Sequence, residues 1–171
     1  MYTHFEVKKM LDSMICLYDT REQETVALKK RLEGLKCPSE RYKLNFGDYS
    51  LAYIDLDGNK VYLTDKVAIE RKMNLDELCG CFTSSRARFE REFLRARESG
   101  AKIHLLVEEG TYEKMFNGGY KSRLNPDSLI ASWLAWANRY NIQLHFCKKE
   151  TTPRLIYKIL YYHLKTHLES I

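Results

Sequence analysis

Two short runs constrain the fold more than anything else in this chain. "VAIE", residues 67–70, and "KIHLLVEE", residues 102–109, are apolar with almost no alternation. A strand with one wet face alternates with period two, whereas an unbroken apolar run of this length belongs to a strand buried on both sides. Such strands need a covering layer above and below, and segments with helical spacing supply it. Val26, Leu28, Leu32 and Leu35 repeat at helical intervals within residues 21–35, with Gly34 near the end. Phe89, Phe93 and Ala96 mark the inner face of a charged helix over residues 86–99. Helices are also predicted over residues 74–82, with Asn74 as the cap, over 125–140 behind Pro126, and over 151–170. Strands alternating with helices predict an α/β fold, a central mixed β-sheet flanked by α-helices.

The remaining strands fall at residues 15–19, at 42–54 as one strand interrupted at Gly47-Asp48, at 61–65 and at 142–149. Asp57-Gly58 reads as the turn of a hairpin. In the last two helices apolar side chains spread widely. Leu155, Ile156, Ile159, Leu160, Tyr162, His163 and Leu164 surround much of the C-terminal one, and Trp133 and Trp136 read as lying on different faces of the one before. That breadth predicts a dimer seam on these helices.

A length of 171 residues suits one domain with a sizeable core. No apolar run is long enough to cross a bilayer, and the N-terminus lacks the layout of a signal peptide. A cytoplasmic protein is expected. The five cysteines, Cys16, Cys37, Cys79, Cys81 and Cys147, are odd in number and scattered, which predicts free thiols and no structural zinc. Residues 1–85 carry 13 Lys+Arg against 14 Asp+Glu, while residues 86–171 carry 15 against 9. An acidic cluster in the first half and a basic second half suit a polyanion held near a metal.

The acids that matter stand at strand ends. "VAIERKMNLDEL", residues 67–78, delivers Glu70, Arg71 and Lys72 directly after the apolar run. In an extended strand Glu70 and Lys72 share one face and Arg71 takes the other. Asp19 ends the first strand, followed by Arg21 and Glu22, and Asp48 sits at the interruption of the second. Carboxylates with a lysine on one face suit phosphodiester hydrolysis. Hard oxygen ligands hold Mg²⁺ and leave room for water and phosphate, and the lysine orients the water or contacts the phosphate.

The order of these residues resembles a known family. "LYDTRE", "FGDYSL", "VAIERKMNLDEL" and "RARFEREF" are similar to segments of the nuclease domain of XPF and Mus-type structure-specific endonucleases, including archaeal Hef. That family carries G-D, a variable stretch and E-R-K-x-x-x-D, matched here by Gly47-Asp48, Glu70-Arg71-Lys72 and Asp76. Its D-x-R-E is matched by Asp19, Arg21 and Glu22, and its R-F by Arg88-Phe89. The resemblance covers roughly residues 14–146 and implies a restriction-endonuclease-like core. It implies Asp48 and Glu70 as ligands of Mg²⁺ or Mn²⁺ and Lys72 as the catalytic lysine. Asp19 and Glu22 would support the metal site or hold Arg21, and Arg71 would brace it from the opposite face. Asp76 would pair with Arg71 or Arg88, and Lys72 and Arg88 would contact DNA.

The implied activity is metal-dependent cleavage of DNA, on flaps, forks or junctions during repair or recombination. The alternatives are a non-catalytic DNA-binding scaffold subunit, or a restriction-type or RNA-directed nuclease on the same core. The resemblance also implies pairing of nuclease domains, as a homodimer or with a partner protein. Residues 1–171 read as a single nuclease domain, with no helix-hairpin-helix module and no helicase motif, which suggests a bacterial, archaeal or phage source. His104 and His145 read as core histidines, and Glu108 or Glu109 could reach the site from the end of its strand.

Overall fold

The computed structural model describes all residues from Met1 to Ile171. Seven strands form one sheet: β1 (Ile15–Asp19), β2 (Ser39–Tyr42), β3 (Tyr49–Ile54), β4 (Lys60–Tyr62), β5 (Val67–Lys72), β6 (Lys102–Glu108) and β7 (Ile142–Cys147). Their order is β2-β1-β3-β5-β6-β7, with β4 paired to β3. β5, β6 and β7 run parallel, β1 and β2 run parallel, and β3 is antiparallel to β1, β4 and β5. The sheet is therefore mixed, as the sequence pattern predicts.

Seven helices cover it: α1 (His4–Asp12), α2 (Val26–Glu33), α3 (Leu75–Phe82), α4 (Arg86–Ser99), α5 (Tyr112–Asn117), α6 (Pro126–Tyr140) and α7 (Thr152–Glu169). α3, α4 and α6 bury Leu78, Phe89, Phe93 and Trp136 against Ala68, Ile103, Leu105 and Val107 on one face. α1 and α7 bury Met10, Ile156, Leu160 and Leu164 against Val67, Ile69 and Leu106 on the other. Alternate residues of β5 and β6 thus enter two different cores, which is why both runs are apolar throughout.

Several elements differ from the sequence reading. Residues 42–54 are not one strand. β2 pairs with one edge of β1 and β3 with the other, so the chain between them must cross the end of β1. The helix expected from residue 21 starts at Val26, because Thr25 caps it by accepting from the Leu28 N–H at 3.1 Å. α1 carries a capping box in which Thr3 and Glu6 satisfy each other's main-chain donors. Trp133 and Trp136 enter the same core rather than different faces.

The breadth of apolar residues on α7 also has an internal explanation. Ile156, Leu160, Leu164 and Leu168 are fully buried on the chain's own sheet, with Leu155, Tyr157, Ile159 and Tyr161 packed around them. Tyr162, at 53% exposure, is the one large hydrophobic side chain that α7 leaves outside. The apolar residues of this helix are therefore used within one chain and give no separate argument for a dimer seam.

Truncating a side chain with no exposed surface leaves a cavity, so Leu160→Ala should lower the unfolding free energy by about 2–5 kcal/mol in urea titrations. Tyr162→Ala should stay within about 0.5 kcal/mol. A Leu160→Ala protein as stable as the wild type but reduced in oligomeric state would mean that α7 faces a partner instead.

Candidate active site

The site is built at the seam between β3 and β5. Only one residue pair, Tyr49 with Ile69, joins these strands in ladder register. The residue before Tyr49 extends the seam. Asp48 donates its main-chain N–H to the Ile69 carbonyl at 2.8 Å, and its Oδ2 accepts the Arg71 N–H at 2.8 Å. The carboxylate thus stands where the next main-chain acceptor of a strand would be, and this brings it beside Glu70.

Gly47 makes the approach possible. Its backbone is left-handed at φ +75, and a Cβ there would fall 2.8 Å from the Ala68 Cβ and 3.3 Å from the Ile69 carbonyl oxygen. Both the conformation and the contact exclude other residues without movement of the strand. The G-D pair is a mechanical requirement of the seam as well as a sequence signature.

On β5, Glu70 and Lys72 share the α4 face, as the strand period requires. Lys72 Nζ donates to Glu70 Oε1 at 2.5 Å and lies 4.1 Å from the centre of the Phe89 ring. Burial works against the charge of Lys72, but Glu70, together with Asp48, holds its pKa above the ordinary lysine value. Lys72 is therefore an ammonium group and not a free base in this state. Burial also raises Glu70, and Lys72 only partly offsets this. Asp48 is raised well above the ordinary carboxylate range by burial and then by the nearby Glu70 charge, with Lys72 and the Arg71 N–H opposing. Cys81, which faces Lys72, is pushed up to about 12 by burial and is no nucleophile.

The first-strand residues form the support. Asp19 is buried and fully engaged. Its Oδ1 accepts from Arg21 N at 2.8 Å and Arg21 Nε at 2.6 Å, and its Oδ2 accepts from Leu44 N at 2.7 Å. It fastens the chain crossing from β2 to β3 and holds Arg21. Arg21 in turn reaches Glu92 Oε1 at 3.1 Å and the Gly47 carbonyl at 3.5 Å. Glu22 lies 3.9 Å from the buried Arg31, which donates to the Tyr49 hydroxyl at 2.8 Å.

Glu92 is the site residue that the sequence reading missed. It is buried on the inner face of α4, and its charge acts on Glu70. The signal was present, because Glu92 falls three residues after Phe89 and four before Ala96, in the stripe that marks the inward face.

Two expected contacts are absent. Asp76 pairs with neither Arg71 nor Arg88. Its Oδ1 accepts main-chain N–H groups from Lys121 at 2.8 Å and Ser122 at 2.7 Å. Arg71 does brace the opposite face, but through Glu108, at 2.8 and 2.9 Å. Glu108 also accepts from the Thr152 hydroxyl at 2.7 Å, so it does not reach the cluster, and Glu109 accepts from Lys149 N at 2.9 Å. Arg88 is exposed and stacks over Phe89 at 4.7 Å. His104 and His145 bond to each other at 2.9 Å, away from the site.

A concavity of about 630 Å³ opens on the Arg71 side, lined in part by Arg21, Glu22, Arg31, Glu108 and Glu109. Glu70 and Lys72 do not line it. It adjoins the support shell, and the carboxylate cluster lies across the strand from it.

The fit to a divalent cation follows from the donor set. Burial raises the pKa of both hard-oxygen carboxylates, the Glu70 charge adds to the rise at Asp48 and the Glu92 charge to that at Glu70, and a cation beside them would offset the cost of their buried charge. No three His, Cys, Asp or Glu side chains form a ready cage. Such an open arrangement suits Mg²⁺, which is commonly held by one or two carboxylates with water and phosphate completing the shell.

Because the Asp48 pKa is higher in the folded chain than in the unfolded one, the native state binds the extra proton. Metal-free stability must then fall as pH rises from the ordinary aspartate value through the raised one. Asp48→Asn keeps an acceptor for the Arg71 N–H and removes the charge. It should melt above the wild type in EDTA, with a gap that widens from pH 4 to pH 7 and narrows when Mg²⁺ is added. Each kcal/mol of relieved repulsion corresponds to about 2–4 °C in a chain of this size. An Asp48→Asn protein that melts lower than the wild type at pH 7 without metal would contradict the crowding of these carboxylates. Gly47→Ala should move the other way, costing at least about 1 kcal/mol from the left-handed backbone alone.

Comparison with known proteins gives three findings. The ERCC4 domain family matches residues 18–159, a span that includes every residue of the cluster. No curated protein matches the chain significantly. Among solved structures, XPF from Aeropyrum pernix superposes with a TM-score of 0.61 at 21% identity, covering 87% of this chain and 64% of that one. The same protein in complex with DNA gives a TM-score of 0.61 at 21% identity, covering 89% and 66%. At that identity the likeness is one of fold, and the chain spans just under two thirds of the length of those solved chains.

Proposed function

The chain belongs to the ERCC4 domain family, and from that membership we propose that it is a divalent-metal-dependent endonuclease that hydrolyses phosphodiester bonds in DNA. The observation that carries the reading is the convergence of Asp48, Glu70 and Lys72 at one strand seam. A scaffold relative that had lost catalysis would have no reason to keep two carboxylates and a lysine together against the cost of burial.

Asp48 and Glu70 would hold Mg²⁺ or Mn²⁺, which when bound supplies an acidified water and a Lewis acid for the phosphate. The chain's own contribution is positioning and charge. The seam hydrogen bonds fix Asp48, and Phe89 and Glu70 fix Lys72. Lys72, kept protonated, is placed to donate to a phosphate oxygen as negative charge builds up in the transition state. Asp19, Arg21 and Glu92 hold the loop that carries Gly47-Asp48. Branched DNA is the proposed substrate, since the Aeropyrum relative is solved with DNA and the resemblance is to structure-specific enzymes. A second copy of the chain, or a partner protein, is the proposed source of further grip.

Labelled duplex, flap, fork and junction DNAs incubated with Mg²⁺, Mn²⁺ or EDTA test this directly. Cleavage should require metal. Glu70→Ala and Lys72→Ala, folded by circular dichroism, should each lose on the order of 10²–10³-fold or more in kcat. A folded Glu70→Ala protein that cuts at the wild-type rate removes the assignment. DNA binding without cleavage in any metal would favour a scaffold subunit.

A further inference from the structure

The last residue of the E-R-K-x-x-x-D spacing has no part in the carboxylate cluster, yet its contacts are specific. Asp76 lies in the first turn of α3, which starts three residues after Lys72 and packs on the same sheet face as Glu70 and Lys72. Its Oδ1 takes two successive main-chain N–H groups, from Lys121 and Ser122, more than forty residues away. The loop between α5 and α6, residues 118–125, is therefore fastened to the first turn of the helix that follows the strand carrying Glu70 and Lys72.

That loop is ordered along its length. Gly118 is left-handed, Gly119 N donates to the Lys114 carbonyl at 2.7 Å, and the Tyr120 hydroxyl donates to the Leu124 carbonyl at 2.8 Å. Ser122 Oγ accepts from Leu124 N at 3.2 Å, and Asn125 caps α6. With its backbone held in this way, the loop presents Lys121 and Arg123 to solvent. Neither has a carboxylate within salt-bridge distance, and neither side chain donates a hydrogen bond. Two unpaired cations on a pinned loop form a preorganised anion contact, because little ordering remains to be done on binding.

The neighbouring cluster explains the need. The cluster's own cations, Lys72 and Arg21, are already engaged by Glu70 and by Asp19 and Glu92. Unpaired cations on a neighbouring loop supply affinity for a polyanion that the cluster does not. Building on the nuclease reading, we propose that residues 118–125 form an arm that binds the DNA backbone beside the cleavage site, with Asp76 as its positioning residue through acceptor geometry and not through charge.

The test uses the full chain in two assays. One is fluorescence anisotropy of a labelled duplex in EDTA across a salt series. The other is cleavage with Mg²⁺. Lys121→Ala/Arg123→Ala changes only exposed side chains and should fold normally. It should weaken binding roughly tenfold at low salt and flatten the log K against log salt slope by roughly 0.9 per lost phosphate contact. In cleavage it should raise KM with little change in kcat. Asp76→Ala should reproduce this pattern, whereas Asp76→Asn, whose amide oxygen can accept both N–H groups, should behave as wild type. The arm is overturned by unchanged affinity and slope in the double variant, or by Asp76→Asn failing as badly as Asp76→Ala. It is equally overturned if the double variant loses binding only to an acidic peptide such as poly-glutamate. A wild type that binds DNA but cuts none defeats the nuclease reading and leaves the arm to the anisotropy result.

Discussion

The site hangs on two hydrogen bonds made by one residue. Asp48 joins β5 through its main-chain N–H and accepts from β5 through its side chain, each at 2.8 Å. Without the second bond, the Arg71 N–H would be left without this acceptor and the Asp48 carboxylate would have no fixed place beside Glu70. Everything around the seam serves that approach. Gly47 lets the chain come within contact of Ala68, and Asp19 captures Leu44 so that the crossing from β2 ends at the right point. Arg21 closes the arrangement by linking Asp19, the Gly47 carbonyl and Glu92.

The same strand separates chemistry from support. Because side chains alternate, Glu70 and Lys72 face α4 while Arg71 faces α7, where Glu108, itself accepting from the Thr152 hydroxyl, pairs with it. Two ion pairs of opposite orientation, one residue apart, therefore serve different purposes. Arg71–Glu108 ties β5 to β6 on the face that α1 and α7 cover. Lys72–Glu70 holds a buried cation beside two carboxylates whose pKa values are raised chiefly by burial and further by neighbouring negative charge. Functional sites commonly keep such local instability.

Much of this was legible in the sequence, for physical reasons that can be named. The unbroken apolar runs of β5 and β6 reported burial on both faces, and the two-residue period put Glu70 and Lys72 together. The Asp57-Gly58 turn appears as the β3–β4 hairpin, with Gly58 at φ +87. What failed involved tertiary capture. Residues 42–54 look like one strand because local pattern does not report that β2 ends at Tyr42 on one edge of β1 and that the chain pairs again, on the other edge, only from Tyr49. Asp76 was expected, from the family resemblance, to meet an arginine, whereas its partners are amides of a distant loop. α1 announced itself through Thr3 and Glu6 but has a short apolar stripe, and Glu92 was hidden because an acid in an apolar stripe reads as noise.

The central claim is that Asp48 and Glu70 together hold a divalent cation. Anomalous scattering from a crystal soaked in Mn²⁺ addresses it without relying on activity. A Mn²⁺ peak within bonding distance of oxygen atoms of both carboxylates, absent in Asp48→Asn, is the predicted result. A fully occupied peak bound elsewhere, with Asp48 and Glu70 left as they stand in the metal-free chain, would contradict the account.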